Sequence, residues 1–312
     1  NLMKQDISVT LPELRTLIQK NKRFDILFSI LGFLSLLLAV MTFLVLFAQM
    51  AVTGWERISP AFFTNFPSRR AESAGILSAL VGSILVMLVT AVAAIPLGVG
   101  AGVYLEEYAP KNLLTDIIEI NVTNLAGVPS IVYGLLALGV FVYGFGLGQS
   151  ILTAGLTLAL LILPIIIVST RESIRAIPSH IREAAYGMGA TKWQVVRDHI
   201  IPYSLSGILT GIIIGLSRAI GETAPIITIG ALTFIAFLPP SPVSSEFPWV
   251  NFDWLSSGFT VMPIQMFNWT SRPAEAFQVN AAAAGFILVL LTLSMNALAI
   301  FLRYRLRKNI SW

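Results

Sequence analysis

The sequence predicts an all-α, polytopic membrane protein with about six transmembrane helices. Three observations carry that expectation. Hydrophobic residues make up 56% of the 312 residues and charged residues 12%, about half the charged share of a soluble domain. The mean hydropathy is +0.81. The apolar residues are also gathered into runs of the roughly 20 residues that a bilayer crossing needs. Together these exclude a disordered chain, a collagen and an ordinary soluble enzyme. There is no Cys, so disulfides and thiolate metal sites are excluded. His180 and His199 are too few for most His-rich metal sites and read as surface or packing residues.

Six segments qualify as spans: 26–50, 76–104, 120–143, 150–170, 203–236 and 281–302. Backbone polar groups must be satisfied within the chain in lipid, so the spans are helices. The first run is longer than a signal-peptide core and follows a polar stretch, so it reads as a span. Six spans put both ends on one side. The loops of that side hold 15 of the 20 Lys and Arg residues, the opposite loops hold 4, and Arg218 lies within a span. The positive-inside rule therefore places both termini and the 171–202 loop in the cytoplasm. Basic residues flanking spans are topology signals rather than a nucleic-acid surface.

The expected domains are a cytoplasmic arm over 1–25, a transmembrane domain over 26–303 and a cytoplasmic tail over 304–312. An external loop over 237–280 is broken by Pro239, Pro240, Pro242 and Pro248. Its Trp249, Trp254 and Trp269 read as membrane-interface residues, with a docking partner as the alternative. The second span ends in Pro96, Gly98, Gly100 and Gly102, of which Gly98 and Gly102 make a small-xxx-small pair. Gly127 and Pro129 mark a kink in the third span. Glu106 and Glu107 read as solvated carboxylates at a boundary.

The fifth span is the most informative. Gly207, Gly211, Gly215, Arg218 and Glu222 fall at about 0°, 40°, 80°, 20° and 60° around a helix of 3.6 residues per turn. The glycines make a smooth strip for close helix packing. Gly221 and Pro225 predict a break, because 203–236 as one helix would be about 51 Å long, more than a bilayer core needs. An Arg in mid-span costs about 2.5–3.5 kcal/mol on insertion scales, so it is paired or functional. One reading is a structural ion pair with Glu222. The other makes Arg218 an anion contact on a substrate path, oriented by Glu222, because a guanidinium offers a bidentate fork to oxyanions. Arg171, at the end of the fourth span, is a weaker path candidate and otherwise a boundary charge.

The 179–202 loop reads as two short helices. Ser179 to Ala185 starts the first, Gly187 and Gly189 permit a turn, Lys192 to Ile201 forms the second, and Pro202 closes it. Ala184, Ala185 and Gly189 have little bulk, so another protein's surface could approach closely; the alternative is a helix–turn–helix that merely connects two spans. The string Glu183-Ala184-Ala185, then Gly189, then Pro202 resembles the EAA loop of ABC-importer permeases. His199 and Ile201 replace the usual Ile and Leu before that Pro. The segment Arg218 to Pro225, with Met262-Pro263-Ile264-Gln265, Trp269 to Pro273 and Asn296 to Ala299, is similar to the A-type permease subunits (PstA-like) of phosphate-specific importers.

That resemblance implies a type I ABC-importer permease fold in a prokaryotic plasma (inner) membrane. It implies a second homologous permease subunit (C-type), an ATPase dimer on the cytoplasmic side and an external phosphate-binding protein as partners. Glu183, Ala184, Ala185, Gly189 and Pro202 would form the ATPase-coupling elbow. The chain has no GxxxxGK[ST] loop, no HExxH and no GxSxG elbow. It is expected to be a transport subunit rather than an enzyme, with ATP and Mg bound by the partner ATPase and no cofactor of its own. The alternatives are a permease for sulfate or molybdate, and a stand-alone channel or secondary carrier.

Overall fold

The structure is a computed structural model describing residues 11–243 and 249–307. The chain forms two compact units, residues 1–52 and 53–312. Among the described residues, five helices are long and apolar enough to cross a membrane, and a bent helix pair makes a sixth span if counted as one.

The first of these helices, α1 (Leu11–Gly54), runs unbroken through most of the expected arm and the first span. From Phe24 to Leu46 its large apolar side chains are exposed, as lipid contact requires of a helix that is apolar all round. Residues 1–10 of the arm lie outside the described residues.

In the second unit, a short helix α2 (Pro60–Thr64) precedes α3 (Leu77–Val103), whose end winds into a π-helical turn, Tyr104–Tyr108. The third span was expected as one helix over 120–143. It is instead α4 (Leu113–Leu125) and α5 (Ser130–Ala137), the latter continuing to Gly144, with a 107° bend between them. Pro129 disfavours a helical conformation at Val128, so the kink becomes a break. Then come α6 (Ile151–Arg175), α7 (Ser179–Gly187), α8 (Lys192–Val195) and α9 (Ile201–Gly221).

Three further α-helices follow among the described residues. A short α10 (Ala224–Thr228) follows the break at Glu222, and the backbone turns at Gly230 with φ +88°. Helix therefore does not extend to 236 as the apolar run had indicated. The 237–280 loop contains α11 (Met262–Thr270), and α12 (Glu275–Arg307) starts six residues earlier than the last predicted span. Pro248 and residues 308–312 lie outside the described residues.

α6 is the centre of the unit. Its Ala154, Leu158, Leu161, Ile162 and Ile166 are buried in one core with Leu85, Val86, Val89 and Ala94 of α3 and Ile208 and Ile212 of α9. Glycine makes both contacts close. On α3, Gly98 faces Ile166 and Gly102 faces Thr170. On α9, Gly207 faces Ser173, Gly211 faces Ser169, and Gly215 faces Ile162 and Ile166. A Cβ at Gly211 would meet the Ser169 side chain inside contact distance. The backbones thus approach until dispersion contacts and polar groups meet across them. Ser169 Oγ donates to the Gly207 carbonyl at 3.2 Å, and Thr90 Oγ1 to the Gly155 carbonyl at 3.2 Å.

A second core joins α2, α11 and α12 through Phe62, Met262, Trp269 and Phe277. Trp269 and Trp254 are buried there and in the first core rather than lying at a membrane interface, whereas Trp249 is exposed. Arg57 closes this end: its Nε donates to Asn280 Oδ1 at 2.9 Å and its Nη2 to the Glu72 and Ala74 carbonyls at 2.6 and 2.7 Å. α12 is tied to α9 by Ser217 Oγ donating to Asn296 Oδ1 and by Arg303 Nη1 donating to Thr210 Oγ1 at 2.9 Å.

The glycine seam gives a direct test. Gly211→Val is expected to destabilise the protein by about 1–3 kcal/mol through overpacking, read as a lower thermal midpoint in detergent. Adding Ser169→Gly is expected to recover part of that loss.

Candidate functional site

Two helix breaks meet in the middle of the second unit. α9 ends at Gly221 and Glu222 is already extended (φ −75°, ψ 127°). Pro225 then opens α10, where its missing N–H costs no helical bond. α5, the segment after the other break, packs on α10: Gly134 faces Pro225 and Thr228 so closely that any side chain there would collide. Thr228 Oγ1 donates to the Pro225 carbonyl at 2.8 Å, and Tyr133 Oη to the Leu125 carbonyl at 2.8 Å. Side-chain hydroxyls thus add a second donor to carbonyls beside both breaks, which also accept from the Val128 and Ile229 N–H groups.

Arg218 stands in the last turn of α9. Its Nε donates to Glu222 Oε1 at 3.2 Å, with the Arg218 side chain 38% exposed and that of Glu222 18%. Tyr133 lies within electrostatic reach of the Arg218 charge. Glu222 also lines a small cavity with Ser83, Met87, Leu158, Ile226 and Val261. The glycine strip and the charges separate here. α6 fills the strip at Gly207, Gly211 and Gly215, whereas Arg218 remains exposed at its end.

Arg171 lies elsewhere, near the 179–202 elbow. It is 5% exposed. Its Nη2 is 2.6 Å from Glu119 Oε1 and 3.5 Å from Glu106 Oε2. Arg175 joins the same carboxylates at 3.6 and 3.0 Å. Glu106 and Glu107, expected to be solvated, are both paired, Glu107 with Arg182 at 2.8 Å. Burial of a guanidinium explains the arrangement, since an unpaired charge there would be costly. Sequence reading missed Glu119, Arg175 and Arg182 as a group because the charges that join them to other helices lie far off in the chain: Glu119 pairs with Arg171, Arg175 with Glu106 and Arg182 with Glu107.

The elbow is built from α7 and α8. Gly189 makes the turn with φ +85°. Thr191 and Gln194 form a reciprocal capping box that starts α8, a signal legible as T-x-x-Q. Pro202 does not close the loop. α8 runs through a π-helical turn, Val196–Ile200, directly into α9, where Pro202 occupies the first turn. The elbow has its own small core of Ile174, Ile177, Ala185, Val195 and Ile200. Ala185 therefore faces inward, while Glu183, Ala184, Gly189 and His180 face outward. Tyr186, Met188 and Trp193 are exposed beside them, Met188 to 80%. Among the described residues no group of His, Asp and Glu side chains is arranged to hold a metal ion.

A multi-pass helical bundle with broken spans packed on one another and an exposed apolar elbow is the architecture of an integral-membrane transport permease. The chain belongs to the family of binding-protein-dependent transport system inner membrane components, whose sequence pattern matches residues 94–312. It is similar to a probable ABC transporter permease protein, YqgI, of Bacillus subtilis, at 34% identity over 75% of this chain and 74% of the relative. It is also similar to the phosphate transport system permease protein PstA of Yersinia pestis, at 33% identity over 79% of this chain and 78% of the relative. In fold it matches a chain of a bacterial alginate ABC transporter solved in complex with an alginate-bound periplasmic protein. That match has a TM-score of 0.59 at 13% identity, over 90% of this chain and 94% of that one.

The Arg171 cluster yields a prediction. Glu119 is 35% exposed in its side chain, so Glu119→Gln is expected to cost about 1–3 kcal/mol rather than the full penalty of a dry pair. Thermal unfolding of the purified protein measures it.

Proposed function

We propose that this chain is one permease subunit of an ATP-driven importer that carries inorganic phosphate inward across a prokaryotic plasma (inner) membrane. Both termini and the elbow face the cytoplasm, as the distribution of basic residues favours. A second, homologous C-type permease subunit completes the path. An ATPase dimer docks on the elbow and binds ATP and Mg, and an external phosphate-binding protein delivers the anion. This subunit has no ATP-hydrolysing site of its own.

The observation that carries the reading is the position of Arg218: a guanidinium left exposed at the broken end of a membrane helix, held by one carboxylate at 3.2 Å. Glu222 engages Nε and leaves the two terminal nitrogens for a phosphate, in the forked geometry that guanidinium and oxyanion share. Glu222 also lowers the net positive charge around the anion. That suits a transport site, where binding must be weak enough for release. Arg171, already held by Glu119 and Glu106, takes the lesser part, as a cation reached only when an anion displaces a carboxylate.

The cycle we infer is alternating access. ATP binding closes the ATPase dimer and moves the elbows, and the spans open outward toward the loaded binding protein. Hydrolysis then returns the path to the inward-open state. The elbow's exposed Tyr186, Met188 and Trp193 supply the apolar anchors that such docking needs.

Arg218→Gln is expected to abolish phosphate uptake by the reconstituted complex while the complex still assembles. Uptake near the unsubstituted rate would remove Arg218 from the path. Sulfate or molybdate in excess is expected to leave phosphate uptake unchanged, and strong competition by either would assign the path to another oxyanion.

A further inference from the structure

α3 ends in a single π-helical turn, Tyr104–Tyr108, a wider winding that often marks functional positions. Three consecutive side chains of this turn engage three different neighbours. Glu106 Oε2 is 3.0 Å from Arg175 Nη2 of α6. Glu107, 7% exposed in its side chain, accepts from Nε and Nη2 of Arg182 on α7 at 3.0 and 2.8 Å. Tyr108 lies under the Lys192 ammonium of α8, 4.9 Å from its ring centroid.

Arg182 is held on a third side as well. Its Nη1 donates to the Ile177 carbonyl at 2.9 Å and its Nη2 to the Ile174 carbonyl at 3.0 Å. These carbonyls lie at the end of α6, where helical partners run out. One guanidinium thus joins α7 to both α6 and α3. A loop that merely linked α6 to α9 would need no tie to α3, and a nearly buried Glu–Arg pair is a poor source of stability in itself.

We propose that the Tyr104–Tyr108 turn is a clamp that fixes both arms of the elbow to α3. A push on the elbow then moves α3 together with α6 and α9, instead of α9 alone. Glu107 and Arg182 are positioning residues: they touch no substrate and act by keeping α7 rigid against α3. This inference rests on the reading of the elbow as the ATPase-docking element. Coupling through it requires contiguous elements that move as one body, and the clamp supplies the missing join at α3.

The test uses the complete complex in vesicles of phosphatidylethanolamine and phosphatidylglycerol, with phosphate uptake and ATP hydrolysis measured on the same sample. Glu107→Gln is expected to lower phosphate moved per ATP hydrolysed by roughly tenfold while hydrolysis stays within about twofold. Arg182→Lys, which keeps the charge but loses the fork, is expected to act in the same direction and carries the test if Glu107→Gln does not assemble. A purely structural role would lower uptake and hydrolysis together and leave their ratio unchanged, which would overturn the clamp.

A distance measurement separates this inference from the reading beneath it. The chain has no Cys, so spin labels placed by Leu97→Cys on α3 and Ser179→Cys at the exposed start of α7 report one distance. That distance is expected to be narrow in the otherwise unsubstituted complex and to broaden in Glu107→Gln. A distance equally narrow in both overturns the clamp. Uptake indifferent to ATP in the unsubstituted complex would instead overturn the docking reading, and the comparison of distances would still decide whether α3 and the elbow are joined.

Discussion

The close approach of three backbones along α6 is the constraint on which the rest of this structure depends. In lipid, apolar side chains gain little by leaving one apolar surround for another, so helices must be held by contact distance and polar links. α6 meets glycine on both flanks, Gly98 and Gly102 from α3 and Gly207, Gly211 and Gly215 from α9. Each missing side chain lets Ile, Ser or Thr of α6 fill the space, and hydroxyls reach carbonyls across the seam. With α6 fixed, the elbow that leaves its end and the broken helix that returns beside it are placed together.

The breaks at 126–129 and 222–223 are the counterpart of that rigidity. A continuous helix satisfies its own backbone, whereas a broken one needs partners within the protein. Here α5 and α10 pack together through Gly134, and the Thr228 and Tyr133 hydroxyls add bonds to carbonyls beside the breaks. The charged end of α9 lies at this junction. Arg218 is exposed because the glycine strip below it is filled by α6, while the helix above it has ended. At the opposite end of the seam, the carboxylates of α3 and α4 neutralise the basic end of α6 and hold the elbow.

Much of this was legible by eye. The spans centred on 26–50, 76–104, 150–170 and 281–302 were readable because 20-residue apolar runs have few alternatives in a chain so poor in charge. The break at Gly221 and Pro225 and the turn at Gly189 followed from local backbone chemistry. The third span misled because an apolar run reports hydropathy and not direction: Pro129 turned a kink into a 107° bend. Pro202 misled in the opposite sense, since a π-helical turn just before it lets the helix pass through. Trp254 and Trp269 looked interfacial because sequence records their amphipathic chemistry but not the core that covers them.

The sequence by itself determined that the chain is helical and membrane-embedded, where most spans lie, which helix carries a small-residue face and that one Arg is left within it. Those properties are local or compositional, and each residue type carries its own cost in lipid. Only the tertiary structure decided what the small-residue face packs against, that Glu106, Glu107 and Glu119 pair with Arg175, Arg182 and Arg171, and that Ala185 turns inward. These depend on which helices the fold brings together, and no spacing rule along one helix reports a partner on another.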